Sequence, residues 1–127
     1  MSLDLTAIVV DDDKDTVGVF SDYLKLKKIS VLGVGYDGKQ AVALYKKHKP
    51  DVVFLDHRMP EYNGTFALYH IREINPEATV IMITADAALE DDPNIIKLKP
   101  TAIIHKPFNI TSIIETIENL PQLKNQN

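Results

Sequence analysis

Five polar side chains stand at or just beyond the carboxyl ends of the predicted strands of this sequence. They are Asp11 and Asp12 after the first strand, Asp56 after the third, Thr84 after the fourth and Lys106 after the fifth. Three neighbouring carboxylates repel one another, and a hard divalent cation relieves that repulsion. Mg²⁺ prefers oxygen ligands and works beside phosphate groups, so this set of residues predicts phosphoryl transfer. Asp56 is the candidate nucleophile, and Lys106 and Thr84 are candidates to contact oxygens of the transferred group.

These residues meet only if the strands lie parallel in one sheet, and the hydrophobic pattern predicts this arrangement. Short apolar runs alternate with segments whose apolar residues recur at helical spacing. The strands are predicted at 7–10, 30–34, 52–55, 80–83 and 102–104. Such alternation is typical of right-handed βαβ units with helices on both faces of a parallel sheet. The carboxyl ends of the strands then form the functional edge.

The composition is that of an ordinary globular domain, with 127 residues, 45% hydrophobic residues and a net charge of −4. We expect a single domain over 1–127, with a core from about 6 to 120 and a polar, frayed tail over 121–127. The absence of Cys excludes a thiolate metal site and a Cys nucleophile. The acid excess argues against direct binding of nucleic acid. No apolar run is long enough to span a bilayer and no leader is recognisable, so we expect a cytoplasmic protein without membrane insertion.

Five short motifs surround the strand-end residues. They are Val9-Val10-Asp11-Asp12, Phe54-Leu55-Asp56, Met59-Pro60 with Asn63-Gly64, Ile83-Thr84-Ala85 and Lys106-Pro107-Phe108. In this combination the chain resembles the receiver domain of response regulators in two-component signalling, from about residue 6 to residue 120. The resemblance implies a flavodoxin-like (βα)5 fold, which is a doubly wound, five-stranded parallel sheet of order 2-1-3-4-5 with helices on both faces. It also implies a cis peptide bond between Lys106 and Pro107.

The resemblance gives each strand-end residue a role. Asp56 is implied to be the phosphoacceptor. The implied metal set consists of Asp11, Asp12, Asp56 and the backbone carbonyl of Arg58, with Asp12 as direct carboxylate ligand and Asp11 holding metal-bound water. Thr84 is the implied switch hydroxyl, and Lys106 is the ammonium that senses the phosphoryl group. The implied cofactor is Mg²⁺ or Mn²⁺.

The function implied by the resemblance is that of a phosphorylation-activated switch. A sensor histidine kinase, a histidine phosphotransfer protein or a small acyl phosphate donates the phosphoryl group. The changed conformation then controls an output protein that the sequence does not identify. Catalysis is limited to self-phosphorylation and self-dephosphorylation, so we do not expect an enzyme in the usual sense. We expect a monomer or a weak, phosphorylation-dependent dimer.

Three other functions fit parts of the pattern. An aspartate-nucleophile phosphohydrolase of the haloacid-dehalogenase type carries a second Asp two residues after the nucleophile, where this chain has Arg58. A flavin binder needs a phosphate-cradling loop after the first strand, where Asp11, Asp12 and Asp13 would repel phosphate. A receiver-like docking module that works without phosphorylation is expected to lose an acid, the Thr or the Lys, and this chain retains all of them.

The fourth helix is expected to be short, because Asp92 is a good N-cap and Pro93 is favoured in a first turn. We predict a helix over 93–98 and a loop over 87–91, which alters the face between the fourth and fifth helices that the family commonly uses for output.

Several side chains near the strand ends carry further expectations. Ile103 stands where the family often has Tyr or Phe, and we expect it to pack as a strand residue. Arg58 and Asp86 either form an ion pair across the site that slows loss of the phosphoryl group, or remain two solvated side chains. We expect His57 to point away from the rim and His105 to pack against or beneath the sheet.

Overall fold

The computed structural model describes residues 4–124, in which five strands alternate with helices. The strands are β1 (Thr6–Val10), β2 (Ser30–Gly35), β3 (Val52–Asp56), β4 (Val80–Thr84) and β5 (Ala102–His105). The helices are α1 (Lys14–Leu26), α2 (Gly38–His48), α3 (Gly64–Ile74), α4 (Pro93–Leu98), α5 (Ile110–Glu118) and α6 (Pro121–Lys124). Neighbouring strands are parallel and lie in the order β2-β1-β3-β4-β5, which confirms the predicted doubly wound α/β fold. No helix in this described part is long and apolar enough to cross a membrane.

The core consists of two layers, one on each face of the sheet. Successive side chains of a strand point to opposite faces. In β3, Val53 and Leu55 therefore join the layer covered by α2, α3 and α4, whereas Val52 and Phe54 join the layer covered by α1 and α5. Every residue of β3 and β4 is buried, as uninterrupted apolar runs predict for central parallel strands. These two strands give a firmly packed support to the residues at their carboxyl ends.

An Asp or Asn side chain begins each of the first five helices. The N-caps are Asp13, Asp37, Asn63, Asp92 and Asn109. In each case the side-chain oxygen accepts a hydrogen bond from a backbone N–H of the first turn, which satisfies one of the free donors at a helix start. The local sequence thus fixes where the loops beyond the strands end and the helices begin.

The fourth helix is as short as the sequence predicts. It spans Pro93–Leu98, with Asp92 as N-cap and the proline in the first turn. The segment before it, predicted as loop over 87–91, contains a 3-10 turn at Leu89–Asp91. Leu89 is buried in the layer that α2 and α3 cover, and its side chain anchors this turn.

The segment after α5 is more ordered than predicted. The expectation of a frayed tail over 121–127 is wrong for Pro121–Lys124, which form α6. Leu123 is buried in the layer beside α5, and the side-chain amide of Gln122 donates a hydrogen bond to the Thr79 hydroxyl at 3.3 Å. A buried leucine and a side-chain hydrogen bond together hold this turn against the domain. The rest of the predicted tail, 125–127, lies outside the described residues.

Candidate functional site

Three carboxylates meet at the carboxyl rim of the sheet. Val10 of β1 and Leu55 of β3 are partners in the parallel ladder, so the residues that follow them leave the sheet side by side. One oxygen from each of Asp11, Asp12 and Asp56 lies within 4.8 Å of the other two. Asp11 and Asp56 are buried, whereas Asp12 is exposed. These three residues form what we call the acid cluster.

The ammonium of Lys106 lies between the two buried acids. Its Nζ atom is 3.1 Å from Asp11 Oδ2 and 3.4 Å from Asp56 Oδ1. Burial alone would lower the pKa of Lys106, but the hydrogen bond to Asp11 and the charge of Asp56 outweigh it and raise the pKa. Lys106 therefore stays protonated and balances one of the negative charges at the rim. The Lys106–Pro107 peptide bond is cis, as the resemblance implies.

The surroundings of Asp56 oppose its ionisation. Its side chain is 8% exposed, and its Oδ1 atom accepts a hydrogen bond from the His57 N–H at 2.9 Å. Burial, and after it the charge of Asp11, raise the pKa of Asp56 from 3.8 to about 6, although Lys106 acts in the opposite direction. The rim therefore carries more negative charge at neutral pH than Lys106 alone can balance.

The donor set of the acid cluster fits a hard divalent cation. Asp11 is already engaged, since Oδ1 accepts a hydrogen bond from the Asp13 N–H at 2.9 Å and Oδ2 contacts Lys106. The exposed Asp12 carboxylate makes no hydrogen bond or ion pair within residues 4–124. All three side chains offer oxygen atoms, which Mg²⁺ and Mn²⁺ accept readily. The cluster thus combines excess negative charge with a free carboxylate on its solvent side.

The structure places Thr84 beside this cluster without joining its hydroxyl to it. Thr84 is fully buried at the end of β4, and its Oγ1 atom accepts a hydrogen bond from the Asp86 N–H at 2.9 Å. In the part of the chain that the structure describes, the hydroxyl makes no hydrogen bond with the three acids. The carbonyl of Thr84 accepts a hydrogen bond from the Lys106 N–H at 2.7 Å, which ties the two strand ends together.

Arg58 and Asp86 remain apart, so the hypothesis of an ion pair across the site is wrong. Arg58 is exposed, and no ion pair joins it to Asp86 among the described residues. The Asp86 side chain instead forms a hydrogen bond within its own loop, where Oδ1 accepts from the Ala88 N–H at 2.9 Å. This local bond closes a tight turn and needs no distant partner, so the alternative of two separate side chains describes the site.

The two histidines next to the site residues behave differently. His57 points away from the rim, as predicted, and its Nε2 atom lies 3.1 Å from the Thr65 hydroxyl of α3. His105 was expected to pack against or beneath the sheet, and this expectation is wrong. Its side chain is partly exposed and hydrogen-bonds to Glu90 in the 3-10 turn before α4. The histidine is the last residue of an edge strand, and its contact is with the 3-10 turn that precedes α4.

Gly64 lets α3 begin directly against the strand that carries Asp56. The Gly64 N–H donates a hydrogen bond to the His57 carbonyl at 2.8 Å. A Cβ atom at this position would lie 2.6 Å from the carbonyl oxygen of Asp56, which is too close for any side chain. The glycine therefore permits the tight return of the chain after β3.

An exposed apolar surface runs along α1 away from the rim, and the sequence reasoning missed it. Val19, Tyr23 and Leu26 are 69%, 38% and 76% exposed, and we call them the α1 apolar face. A cavity of about 600 Å³ adjoins this face and reaches Lys106 and Phe108. The signal was available, because these three residues recur at spacings of four and three, apart from the buried stripe of the same helix.

The fold and this site define a flavodoxin-like α/β protein with an acidic site at the carboxyl rim of its sheet. Comparison with known proteins gives the family. Residues 7–118 match the family described as response regulator receiver domain, and the chain belongs to this family. Receiver domains of response regulators are signalling switches of two-component systems and not classical enzymes.

Several characterised proteins are similar over most of their length. Protein CcdB of Bacillus subtilis is 36% identical over 113 residues, which cover 89% of this chain and 94% of that protein. The chemotaxis protein CheY of the same species is 33% identical over 110 residues, or 87% and 92% of the two chains. The solved CheX-CheY-BeF3-Mg²⁺ complex from Borrelia burgdorferi contains a chain with a TM-score of 0.82 and 27% identity, covering 89% of this chain and 86% of that one.

Proposed function

We propose that Asp56 accepts a phosphoryl group and that this modification switches the chain between two signalling states. The observation that supports the proposal is the convergence of the acid cluster and the Lys106 ammonium at one rim. We assign Mg²⁺ or Mn²⁺ to Asp11, Asp12, Asp56 and the backbone carbonyl of Arg58. When bound, the cation supplies positive charge to the phosphoryl oxygens. The presence of Mg²⁺ and BeF3 in the complex of the similar CheY supports this assignment.

The attacking atom in this proposal is Asp56 Oδ2. Oδ1 already accepts the His57 N–H and faces Lys106, while no donor contacts Oδ2 within residues 4–124. A lone pair of Oδ2 forms the new P–O bond as the bond from phosphorus to the leaving group breaks. The leaving group is the imidazole of a phosphohistidine or the acetate of acetyl phosphate. Water later attacks the same phosphorus, releases inorganic phosphate and regenerates the carboxylate.

Lys106 and Thr84 detect the phosphoryl group in this proposal. The Lys106 ammonium already lies within hydrogen-bond or ion-pair distance of both buried acids, so it reaches a phosphoryl oxygen with little movement. Thr84 starts from a different position, because its hydroxyl oxygen is held by the Asp86 N–H. The hydroxyl proton stays free for donation, and movement of the side chain toward a phosphoryl oxygen changes its bond to the chain that follows β4. Contacts made only in the phosphorylated state stabilise that state.

Incubation with acetyl phosphate and Mg²⁺, followed by intact-mass measurement, tests the phosphoacceptor. We expect the wild type to gain the mass of one phosphoryl group and Asp56→Asn to gain none, because an amide is not a nucleophile under these conditions. Asp22→Asn removes an exposed acid from the far half of α1 and should be labelled like the wild type. An unlabelled wild type, or equal labelling of Asp56→Asn, would contradict the proposal.

The α1 apolar face supports a proposal for the phosphodonor as well. We propose that an amphipathic helix of a sensor histidine kinase or histidine phosphotransfer protein docks there. The cavity beside this face reaches Lys106, which contacts Asp56, so a helix docked along the face would hold a phosphohistidine near Asp56. Exposed acids at the start of α1, Asp12, Asp13 and Asp15, complement basic residues on such a partner.

Val19→Asp should therefore slow phosphotransfer from a protein phosphodonor without changing phosphorylation by acetyl phosphate. With a histidine kinase that phosphorylates the wild type, we expect phosphotransfer to slow by at least about tenfold, since a charge in the centre of an apolar contact costs about 1.4 kcal/mol or more. Labelling by acetyl phosphate, which needs no docking helix, should be unchanged. Ile96→Asp changes an apolar residue that is 58% exposed on α4, across the sheet, and serves as control. Equal slowing by both variants, or no slowing by Val19→Asp, would argue against docking on α1.

Other expectations from the sequence stay predictions. They are the single receiver domain over 1–127, the cytoplasmic location, the monomeric or weakly dimeric state, the output partner and the limited self-catalysis.

A further inference from the structure

A side-chain contact joins the segment after β4 to the end of β5. Glu90 Oε1, in the 3-10 turn at Leu89–Asp91, hydrogen-bonds to Nε2 of His105, the last residue of β5. The two side chains are 58% and 39% exposed, so water reaches the contact. We call it the 90–105 clasp.

Both ends of the clasp lie close to the residues that detect the phosphoryl group. His105 is the partner of Thr84 in the ladder between β4 and β5, and Lys106 follows it directly. The Lys106 N–H also donates to the Thr84 carbonyl at 2.7 Å. The strand end that holds His105 is thus fixed to the strand end that holds the switch hydroxyl.

The other end of the clasp lies in a segment that is folded back on Thr84. The Asp86 N–H donates to Thr84 Oγ1, and the Ala88 N–H donates to Asp86 Oδ1, both at 2.9 Å. Leu89, the neighbour of Glu90, is 1% exposed and anchors the turn in the core. Glu90 adds the side-chain hydrogen bond that joins residues 85–91 to β5 within the described chain. Movement of the Thr84 hydroxyl away from the Asp86 N–H breaks the bond that folds this segment back on β4.

We propose that Glu90 and His105 are positioning residues that hold the segment after β4 in the arrangement of the unphosphorylated state. The clasp stabilises the state in which the Thr84 hydroxyl is hydrogen-bonded to the Asp86 N–H. It therefore opposes the state that binds a phosphoryl group on Asp56. This inference rests on the proposed function. An exposed side-chain contact of this kind shifts an equilibrium by up to about fivefold. Loss of the clasp should therefore tighten, by the same factor, the binding of any group that requires the phosphoryl-binding state.

Beryllofluoride (BeF3) with Mg²⁺ is the probe, because it imitates a phosphoryl group bound to a carboxylate. We expect Glu90→Ala and His105→Ala each to bind it up to about fivefold more tightly than the wild type by calorimetric titration. The double variant should bind no more tightly than either single variant, because the same contact is lost. Asp91→Ala removes the same charge from the same turn, where the side chain makes no hydrogen bond or ion pair among the described residues, and should bind like the wild type.

Hydrogen exchange of the backbone amides over 86–92, in the metal-free protein, is a second readout that does not depend on phosphorylation. Exchange should be faster in Glu90→Ala than in Asp91→Ala.

Unchanged or weaker beryllofluoride binding by Glu90→Ala and His105→Ala, or gains that add in the double variant, would overturn the clasp while the wild type still binds the probe. A wild type that neither binds beryllofluoride nor reacts with acetyl phosphate would instead refute the proposed function, and the clasp with it. A contact that only supports folding would lower stability without tightening the binding of the probe.

Discussion

Asp56→Asn should be more stable than the wild type in metal-free solution at about pH 7.5, by about 2 kcal/mol. Burial and the neighbouring Asp11 raise the pKa of Asp56 from 3.8 to about 6. A rise of this size corresponds to up to about 3 kcal/mol of destabilisation once the group is ionised. Water and salt at the rim reduce the expected gain to about 2 kcal/mol. The substitution keeps the shape of the side chain and removes its charge, so it relieves repulsion at the position where the proposed function needs it.

The difference in the free energy of unfolding between Asp56→Asn and the wild type should depend on pH. The direction of this dependence follows from the raised pKa of Asp56. Between pH 3.8 and about pH 6, the folded wild type binds the Asp56 proton more tightly than the unfolded chain does. Wild-type stability therefore falls as the pH rises through this window, and the penalty is fully present above about pH 6. Asp56→Asn has no titrating group at this position. Its advantage should be largest at neutral pH and should vanish near about pH 4.

Urea unfolding in the presence of a chelator, at about pH 7.5 and about pH 4.5, measures this effect. Asp51→Asn provides the matched control. The Asp51 carboxylate accepts hydrogen bonds from the Thr6 N–H and hydroxyl at 2.9 and 3.1 Å and lies outside the acid cluster, so the change should not stabilise the protein. An advantage of Asp56→Asn that is missing at neutral pH, or that is equal at both pH values, would contradict the raised pKa.

The arrangement of residues at the rim could be predicted from the sequence, because the pattern of apolar residues indicates the strands and the helices between them. Uninterrupted apolar runs such as 52–55, which precedes Asp56 in β3, indicate central parallel strands, and the carboxyl ends of parallel strands lie at one edge. The N-cap residues then fix where each helix starts, as Asp92 and Pro93 do for α4. The positions of Asp11, Asp12 and Asp56 follow from these rules without any knowledge of loop geometry.

The contacts that were missed depend on how loops fold between the elements. Glu90 and His105 are fifteen residues apart, and only the 3-10 turn before α4 brings them together. The guanidinium of Arg72 likewise donates to the carbonyls of Leu98 and Lys99 at 3.0 and 2.7 Å, which fixes the far end of α4 against α3. Periodicity and capping rules describe one element at a time. Contacts of this kind are set by the packing of several elements together, and a single sequence does not display them.

Mg²⁺ should stabilise the wild type, and Asp12→Asn should lose most of that stabilisation. A ligand that binds only the folded state, at about 100 times its Kd, adds about 2.7 kcal/mol. Asp12 is exposed and makes no hydrogen bond or ion pair within residues 4–124, so without metal its charge contributes mainly repulsion. We expect Asp12→Asn to change the metal-free stability by no more than about 0.5 kcal/mol. At the same Mg²⁺ concentration its gain should fall to about 1 kcal/mol or less, which corresponds to about twentyfold weaker binding.

The comparison with Asp56→Asn makes this measurement specific, because burial separates the two acids. The buried Asp56 destabilises the metal-free protein, whereas the exposed Asp12 should matter only once a cation arrives. Asp15→Asn removes an exposed acid from the first turn of α1, outside the acid cluster, and should keep the full response to Mg²⁺. NaCl at matched ionic strength removes the contribution of general screening. If Asp12→Asn responded to Mg²⁺ as the wild type does, Asp12 would not be a ligand, and a wild type without any response would exclude a Mg²⁺ site at the acid cluster.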